Sequence, residues 1–402
     1  MKWEKVKLGN VCDSISDGDH QAPPKTVSGI PFVTISNINS THQFDFSDVM
    51  YVSEDYYDNL DEKRKARIGD ILYTVVGSFG IPVLIKEHKE FVFQRHIAIL
   101  RPKSCIDSRF LYYTMLSRDF YKQADAVALG AAQRTVSLTS LRNMEIELPP
   151  IETQKCIADI LSAYDDLIEN NQKQIKLLEE AARRLYKEWF VDLHFSGYEN
   201  TKIVDGVPEG WEKDILTNIV ETTSGGTPSR THPEFYVNGT NLWVKTKELN
   251  DGFVFDTEEK ITDEAILRSS AKKIKAGSIL LAMYGATIGK LGIVAQEMTC
   301  NQACCVFNTS EFKFGTMYLY FWLLTNRDYL ISQGKGAAQS NLSQELIKNL
   351  IVLVPEQAVL QSFAKVSDKM FEKIAYLQRQ KNELKQARDR LLPKLMNGEI
   401  EV

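Results

Sequence analysis

Residues 154–190 read QKCIADILSAYDDLIENNQKQIKLLEEAARRLYKEWF, with no Gly or Pro. Apolar or small residues fall at Leu161, Tyr164, Ile168, Ile175, Leu178, Ala182, Leu185 and Trp189. The steps alternate three and four, so they lie on one face of a long helix in heptad fashion. Asn171 alone breaks the seam, as a register-fixing polar residue can. At ~1.5 Å per residue such a helix would be ~55 Å long. A one-sided apolar stripe of that length is unstable unless something covers it. A second stripe runs through Phe363, Val366, Met370, Ile374, Leu377, Leu384, Leu391 and Leu395, interrupted by Lys381 and Arg388. Packing of the two helices on each other is the economical expectation. Each covering only its own domain is the alternative. Pro393 and Gly398 are expected to end the last helix.

Outward from that stretch, the chain repeats itself. Trp3-Glu4-Lys5 returns as Trp211-Glu212-Lys213, and Gly69-Asp70-Ile71-Leu72 as Gly277-Ser278-Ile279-Leu280. At the same offset Gly77 meets Gly285, Gln94 meets Gln302, Arg95 meets Ala303 and His96 meets Cys304. The register then slips by two, and Gly130-Ala131-Ala132-Gln133 matches Gly336-Ala337-Ala338-Gln339. A period near 200 residues is too long for a solenoid unit and implies a duplicated domain pair.

The first part of each copy mixes strands and a helix. Phe32–Ile35, Ile71–Val76, Ile97–Leu100 and Ile146–Leu148 are β-branched or aromatic runs and read as strands. Arg109–Tyr121 reads as a helix. Leu242–Val244, Ile279–Met283 and Cys305–Phe307 read as strands, and Met317–Thr325 as a helix, in the second copy. The expected fold class is therefore α+β, with more strand than helix in each globular part. The expected division is 1–150, a first globular domain; 151–195, a central helix; 196–355, a second globular domain; and 356–402, a last helix.

The composition is that of a folded protein: 402 residues, 44% hydrophobic and 25% charged. The opening MKWEKVKLGN lacks the apolar run of a secretory leader, and no apolar stretch approaches the ~20 residues of a membrane helix. Six cysteines with no CxxC spacing suggest a reducing, cytoplasmic setting. The net charge is −5. Residues 1–150 carry net −1 and residues 196–355 net −3, so any contact with a polyanion must be local.

Catalytic motifs are not found. Gly285-Ala286-Thr287-Ile288-Gly289-Lys290-Leu291 has three residues between its glycines where a phosphate loop needs four, and Leu291 stands where Mg²⁺ would need Ser or Thr. It reads as a turn after a strand, like Gly77-Ser78-Phe79-Gly80. GxSxG and HExxH do not occur. The Pro pairs, Ala22-Pro23-Pro24-Lys25 and Leu148-Pro149-Pro150-Ile151, lack the flanking residues of the amino-methyltransferase tetrapeptide. Cys300, Cys304 and Cys305 lack a fourth metal ligand nearby and read as buried thiols. No metal site is expected, and a recognition role is favoured over a catalytic one.

The segment Leu148-Pro149-Pro150-Ile151-Glu152-Thr153-Gln154-Lys155-Cys156-Ile157-Ala158 resembles the start of the central helical region of type I restriction–modification specificity subunits. Leu185-Tyr186-Lys187-Glu188-Trp189-Phe190-Val191-Asp192 is similar to that helix's end. Gly210-Trp211-Glu212 resembles the entry to the family's second target-recognition domain, and Leu391-Leu392-Pro393-Lys394-Leu395-Met396-Asn397-Gly398 its terminal helix. Thr153 departs from the usual Glu, and Val354-Pro355-Glu356-Gln357 is shorter by two residues. The resemblance implies two target-recognition domains separated by two helices in an antiparallel coiled coil, with pseudo-two-fold symmetry. It implies that each domain reads one half of a bipartite double-stranded DNA site. It implies two modification subunits docked on the helices and restriction subunits beside them, with S-adenosylmethionine, ATP and Mg²⁺ held by those partners and none by this chain. A recognition chain with an atypical catalytic site of its own, and a coiled-coil scaffold without nucleic-acid function, are the rival readings.

Base reading needs forked side chains: Arg for guanine, Asn or Gln for adenine. Phosphates are gripped by Lys, Arg and hydroxyls. The candidates are Gln94, Arg95, His96, Gln133 and Arg134 in the first copy. In the second they are Arg230, Lys245, Lys247, Lys335, Gln339, Ser340 and Asn341. Arg230 ends a polar loop, Thr222–Arg230, whose counterpart in the first copy is Asp17-Gly18-Asp19-His20. Residues that differ between copies rank above those that repeat.

Overall fold

The computed structural model describes residues 3–20, 23–39, 41–130, 133–309, 315–334 and 341–402. It divides into two compact units. One comprises residues 1–169 with 383–402, the other residues 170–382.

In the first unit a four-stranded antiparallel sheet runs Cys12–Asp17, Ile97–Pro102, Ile71–Thr74, Pro82–Leu84 in spatial order. Ile30–Val33 pairs with Met50–Val52 and, in parallel, with Val92–Phe93. The first strand, Glu4–Lys7, closes on Glu145–Leu148. The expected helix over 109–121 is two helices, Ser108–Leu116 and Arg118–Val127. Ser117 causes the break: its backbone is extended and its hydroxyl accepts from the Phe120 N–H, so it caps the second helix.

The long helix Ile151–Tyr186 is fastened at its start by Gln154, a buried side chain with every polar group used. Its amide donates to the carbonyls of Pro149 and Cys105, and its oxygen accepts from the Asp107 N–H. Within this unit the helix runs antiparallel to the end of the last helix, Gln357–Met396. Ile157, Ala158 and Leu161 share one core with Leu392 and Leu395. Ile168 is buried, and Leu384 and Leu391 are half-buried. The Arg388 interruption has a partner: Asp165 on the facing helix accepts from its guanidinium and also from the Tyr113 hydroxyl at 2.7 Å.

Pro393 does not end the last helix. The helix runs through it to Met396 and is closed by Gly398, at φ +71°, whose N–H reaches the Leu395 carbonyl. Pro393 is exposed, so its ring meets solvent.

The second unit carries a five-stranded sheet in the order Glu221–Ser224, Cys304–Asn308, Ile279–Ala282, Leu291–Val294, Gly252–Val254. The last strand is parallel to its neighbour and has no counterpart in the first unit's four-stranded sheet. Lys260–Ile261, Asn241–Val244 and Thr299–Cys300 form the smaller sheet, again with one parallel pair. Glu212–Ile215 pairs with Ile351–Val354. Cys300, Cys304 and Cys305 are buried in these strands. Both glycine motifs are turns between adjacent strands, with Gly77, Gly80, Gly285 and Gly289 at positive φ.

The two long helices are antiparallel in this unit as well. Asn171 donates to Gln380 at 2.9 Å, while Phe190 packs on Phe363 with ring centres 4.9 Å apart. Ile175, Ile374 and Leu377 are buried between them, and Leu178 and Met370 are half-buried against the same core. The stripe drifts from the heptad positions. Near the end of the first helix the deeply buried residues are Ala182, Tyr186 and Phe190, while Leu185 and Trp189 are half-buried. On the other helix Ser367 is buried and Val366 is exposed. A straight helix advances 3.6 residues per turn, so a strict 3.5-residue seam rotates off the contact. No helix among the described residues is long and apolar enough to cross a membrane.

Candidate nucleic-acid interface

In the first unit, Gln94, Arg95 and His96 form the tight turn between Val92–Phe93 and Ile97–Pro102. The loop after Cys12–Asp17 leans directly on this turn. The Asp19 N–H donates to the Phe93 carbonyl, and the Arg95 N–H to the Asp19 carbonyl. Gly18 permits that approach, since a Cβ there would sit 2.1 Å from the Phe93 oxygen. Gln133 lies on a loop tied down just beyond the end of the inner strand Ile71–Thr74 by Thr135, which bridges to Val76. Arg95, His96 and Gln133 thus come together around a cavity of about 300 Å³, with Asp17 and His20 on its wall. His20 pairs with Asp17 at 2.9 Å, and Arg64 lies 3.3 Å from Asp19. The Tyr56 hydroxyl donates to Asp19 and is pushed up to about 12, by burial first and by that carboxylate second. Burial, helped by Arg95, holds the His96 imidazole below its ordinary range, which favours the neutral ring at pH 7.

Arg134 is turned away from this cavity. It binds Asp125 and covers the Phe79 ring at 5.4 Å, and Phe79 in turn stacks on Tyr121.

In the second unit, three of the expected cations gather at the smaller sheet. Arg230 and Lys245 both pair with Glu259, at 2.5 and 2.6 Å. Arg230 lies over the Tyr236 ring at 4.0 Å, and Lys245 is 5.4 Å from the Trp243 ring. The Trp243 indole donates to the Gly226 carbonyl at 3.0 Å, fixing the polar loop against the sheet. Lys245 and then Arg230 hold the Glu259 carboxyl below the usual carboxylate range. Lys247 pairs separately with Glu258. Tyr236, Trp243 and Glu259, the platform and the anion of this cluster, were not among the sequence candidates. Lys335, Gln339 and Ser340 lie outside the described residues. Asn341 is described, and its N–H donates to the Gly334 carbonyl.

Backbone hydrogen bonds correct the alignment of the two copies at the central turn. Gln94 N–H donates to Val33, and Asn301 N–H to Val244. Ile97 reaches Gln94 as Cys304 reaches Asn301, and the His96 and Ala303 carbonyls accept from Val75 and Met283. Arg95 therefore corresponds to Gln302, and His96 to Ala303; the constant offset read from sequence is wrong here by one residue. The leaning loops agree with this register. Gly225 N–H donates to Cys304 as Gly18 donates to Ile97, and a Cβ on Gly225 would lie 2.2 Å from the Asn301 oxygen. His20 then corresponds to Thr227, whose hydroxyl donates to the Gln302 side-chain oxygen. Alignment by identity hid the correspondence of Gln302 with Arg95, because it paired the two glutamines.

The family described as the type I restriction modification DNA specificity domain matches residues 1–180 and again 208–386. The MjaIX type I restriction enzyme specificity subunit of Methanocaldococcus jannaschii is 30% identical over 311 residues, covering 75% of this chain and 71% of that one. The HindI specificity subunit of Haemophilus influenzae is 24% identical, with 99% of each chain covered. The crystal structure of a type I restriction–modification S subunit from M. genitalium shares the fold, with a TM-score of 0.65, 17% identity, and coverage of 98% of this chain and 96% of that one. With both halves matched, the chain belongs to the type I restriction–modification DNA specificity family.

Proposed function

We propose that each globular domain reads one half of a bipartite DNA sequence and that the two long helices set the gap between the half-sites. In this reading the chain recognises DNA and makes or breaks no bond. Two modification subunits dock on the helices and carry S-adenosylmethionine, and restriction subunits with ATP and Mg²⁺ join them in the cytoplasm. The observation that carries the reading is the repeated turn-and-loop arrangement. The backbone is the same at Gln94–His96 and Asn301–Ala303, yet the exposed side chains differ. A scaffold serving two different half-sites needs that combination.

The acidic balance of both domains fits a chain whose own non-specific DNA binding is weak, with partners supplying much of the phosphate grip. The test is a map of methylated bases in the host with and without this gene. Loss of one split, adenine-methylated motif is expected. An unchanged map would overturn the proposal. Methyl transfer by the purified chain alone would instead favour a self-contained enzyme.

A further inference from the structure

We propose that Arg95 and Gln302 are one specificity-determining position in two versions, reading guanine in the half-site of the first domain and adenine in that of the second. The assignment rests on the DNA-reading role proposed above.

The first support is position. Both residues sit at the centre of the same tight turn, fixed on either side by matched backbone hydrogen bonds. Both are exposed, between more buried neighbours. A side chain held by two strands and projecting into solvent is placed to read rather than to pack.

The second is chemistry. A guanidinium can donate two parallel hydrogen bonds to guanine O6 and N7, and a carboxamide can do the equivalent with adenine N6 and N7. The repeat changes one forked reader for the other at a fixed backbone site.

The third is availability. Arg134, Arg230, Lys245 and Lys247 are each committed to a carboxylate. Arg95, by contrast, makes no side-chain hydrogen bond or ion pair among the described residues, and it stands at the cavity shared with Gln133 and His20. Gln302 is oriented instead of free. Its oxygen accepts from Thr227, which leaves a second lone pair and both amide hydrogens for a base. Thr227 is thus a positioning residue.

The test replaces the chromosomal gene with R95Q, R95K, Q302R or Q302E and maps the methylated motif. R95Q and R95K should relax or change a guanine at one position of one half-site and leave the other half unaltered. Q302R and Q302E should do the same to an adenine in the opposite half. Discrimination at the affected base should fall roughly 10- to 100-fold. If a variant abolishes methylation, the assembled complex is challenged with competitor duplexes changed at single positions. Loss of discrimination at one position supports the assignment; a uniform loss across all competitors overturns it. Unchanged motifs in all four variants, beside a bipartite wild-type motif, overturn the assignment alone. A wild type with no bipartite motif removes the DNA-reading role and the assignment with it.

Discussion

Arg388 and Asp165 form an ion pair between the two long helices of the first unit, each side chain about one-sixth exposed. Asp165 also accepts from Tyr113, so one carboxylate ties both helices to the domain's own helix Ser108–Leu116. Removing one partner of a buried pair leaves an uncompensated charge and costs on the order of 3–5 kcal/mol. R388M leaves Asp165 without its cation and is expected to lower stability by that order in urea unfolding; D165N should cost less, since Arg388 also donates to Asp389 at 2.7 Å. The double variant with D165N and R388M should recover part of the R388M loss, since it removes both charges of the pair and keeps an acceptor for the Tyr113 hydroxyl. A double variant no more stable than R388M alone would show that the pair is not the source of the effect.

His42 lies beside this pair, with φ +57° and a buried Nδ1 that has no hydrogen-bond partner among the described residues. Burial is the first reason its imidazole titrates below its ordinary value, and Arg388 and Lys385 add to it, while Asp165 and a hydrogen bond to the Pro82 carbonyl oppose it. The unfolded chain therefore takes up this proton more readily than the folded one. Stability is full above the ordinary histidine value of ~6.5 and declines as pH falls through that value towards the lowered one. H42N keeps a residue that tolerates the left-handed backbone and cannot take up a proton. Urea midpoints should fall between pH 7.5 and 5.5 for the wild type and fall less for H42N; equal slopes would remove His42 as the cause.

Pro393 sits inside the last helix, where it can donate no hydrogen bond to the preceding turn. It is exposed, so little packing is lost with its ring. P393A should raise thermal stability, by on the order of 1–3 kcal/mol at the midpoint. A lowered midpoint would mean that the proline ring, and not the helix around it, is what this segment needs.

The helix stripes, the domain strands and the glycine turns were legible because each rests on local periodicity or on a turn that demands positive φ. Ser117 was not read as a break, because the apolar pattern on either side stays helical and only the cap reveals it. The seam at Tyr186 and Phe190 was misplaced because sequence spacing assumes a constant phase, while side-chain burial follows the slow rotation of a real helix. Gln302 was missed for a different reason. Identity aligned it with Gln94, and only ladder hydrogen bonds fix which residue stands opposite which. The charged candidates could be named, but whether each is already paired with a carboxylate depends on contacts between residues far apart in sequence, such as Arg230 with Glu259.

That last pairing makes a prediction of its own. Glu259 holds both Arg230 and Lys245 beside the aromatic platform of Tyr236 and Trp243. A single carboxylate thus offsets two cations that could otherwise meet phosphates. E259Q removes the charge and keeps the shape, so it should release one or both cations to DNA. Each added phosphate contact steepens the dependence of log affinity on log salt by about 0.9. The assembled complex carrying E259Q should therefore bind arbitrary duplex more tightly at low salt than the wild type, with a slope steeper by about 1 to 2. R230A in the same background should take back part of that gain. An unchanged slope in E259Q would place this cluster away from DNA and leave Glu259 a purely structural anchor for the loop carrying Arg230.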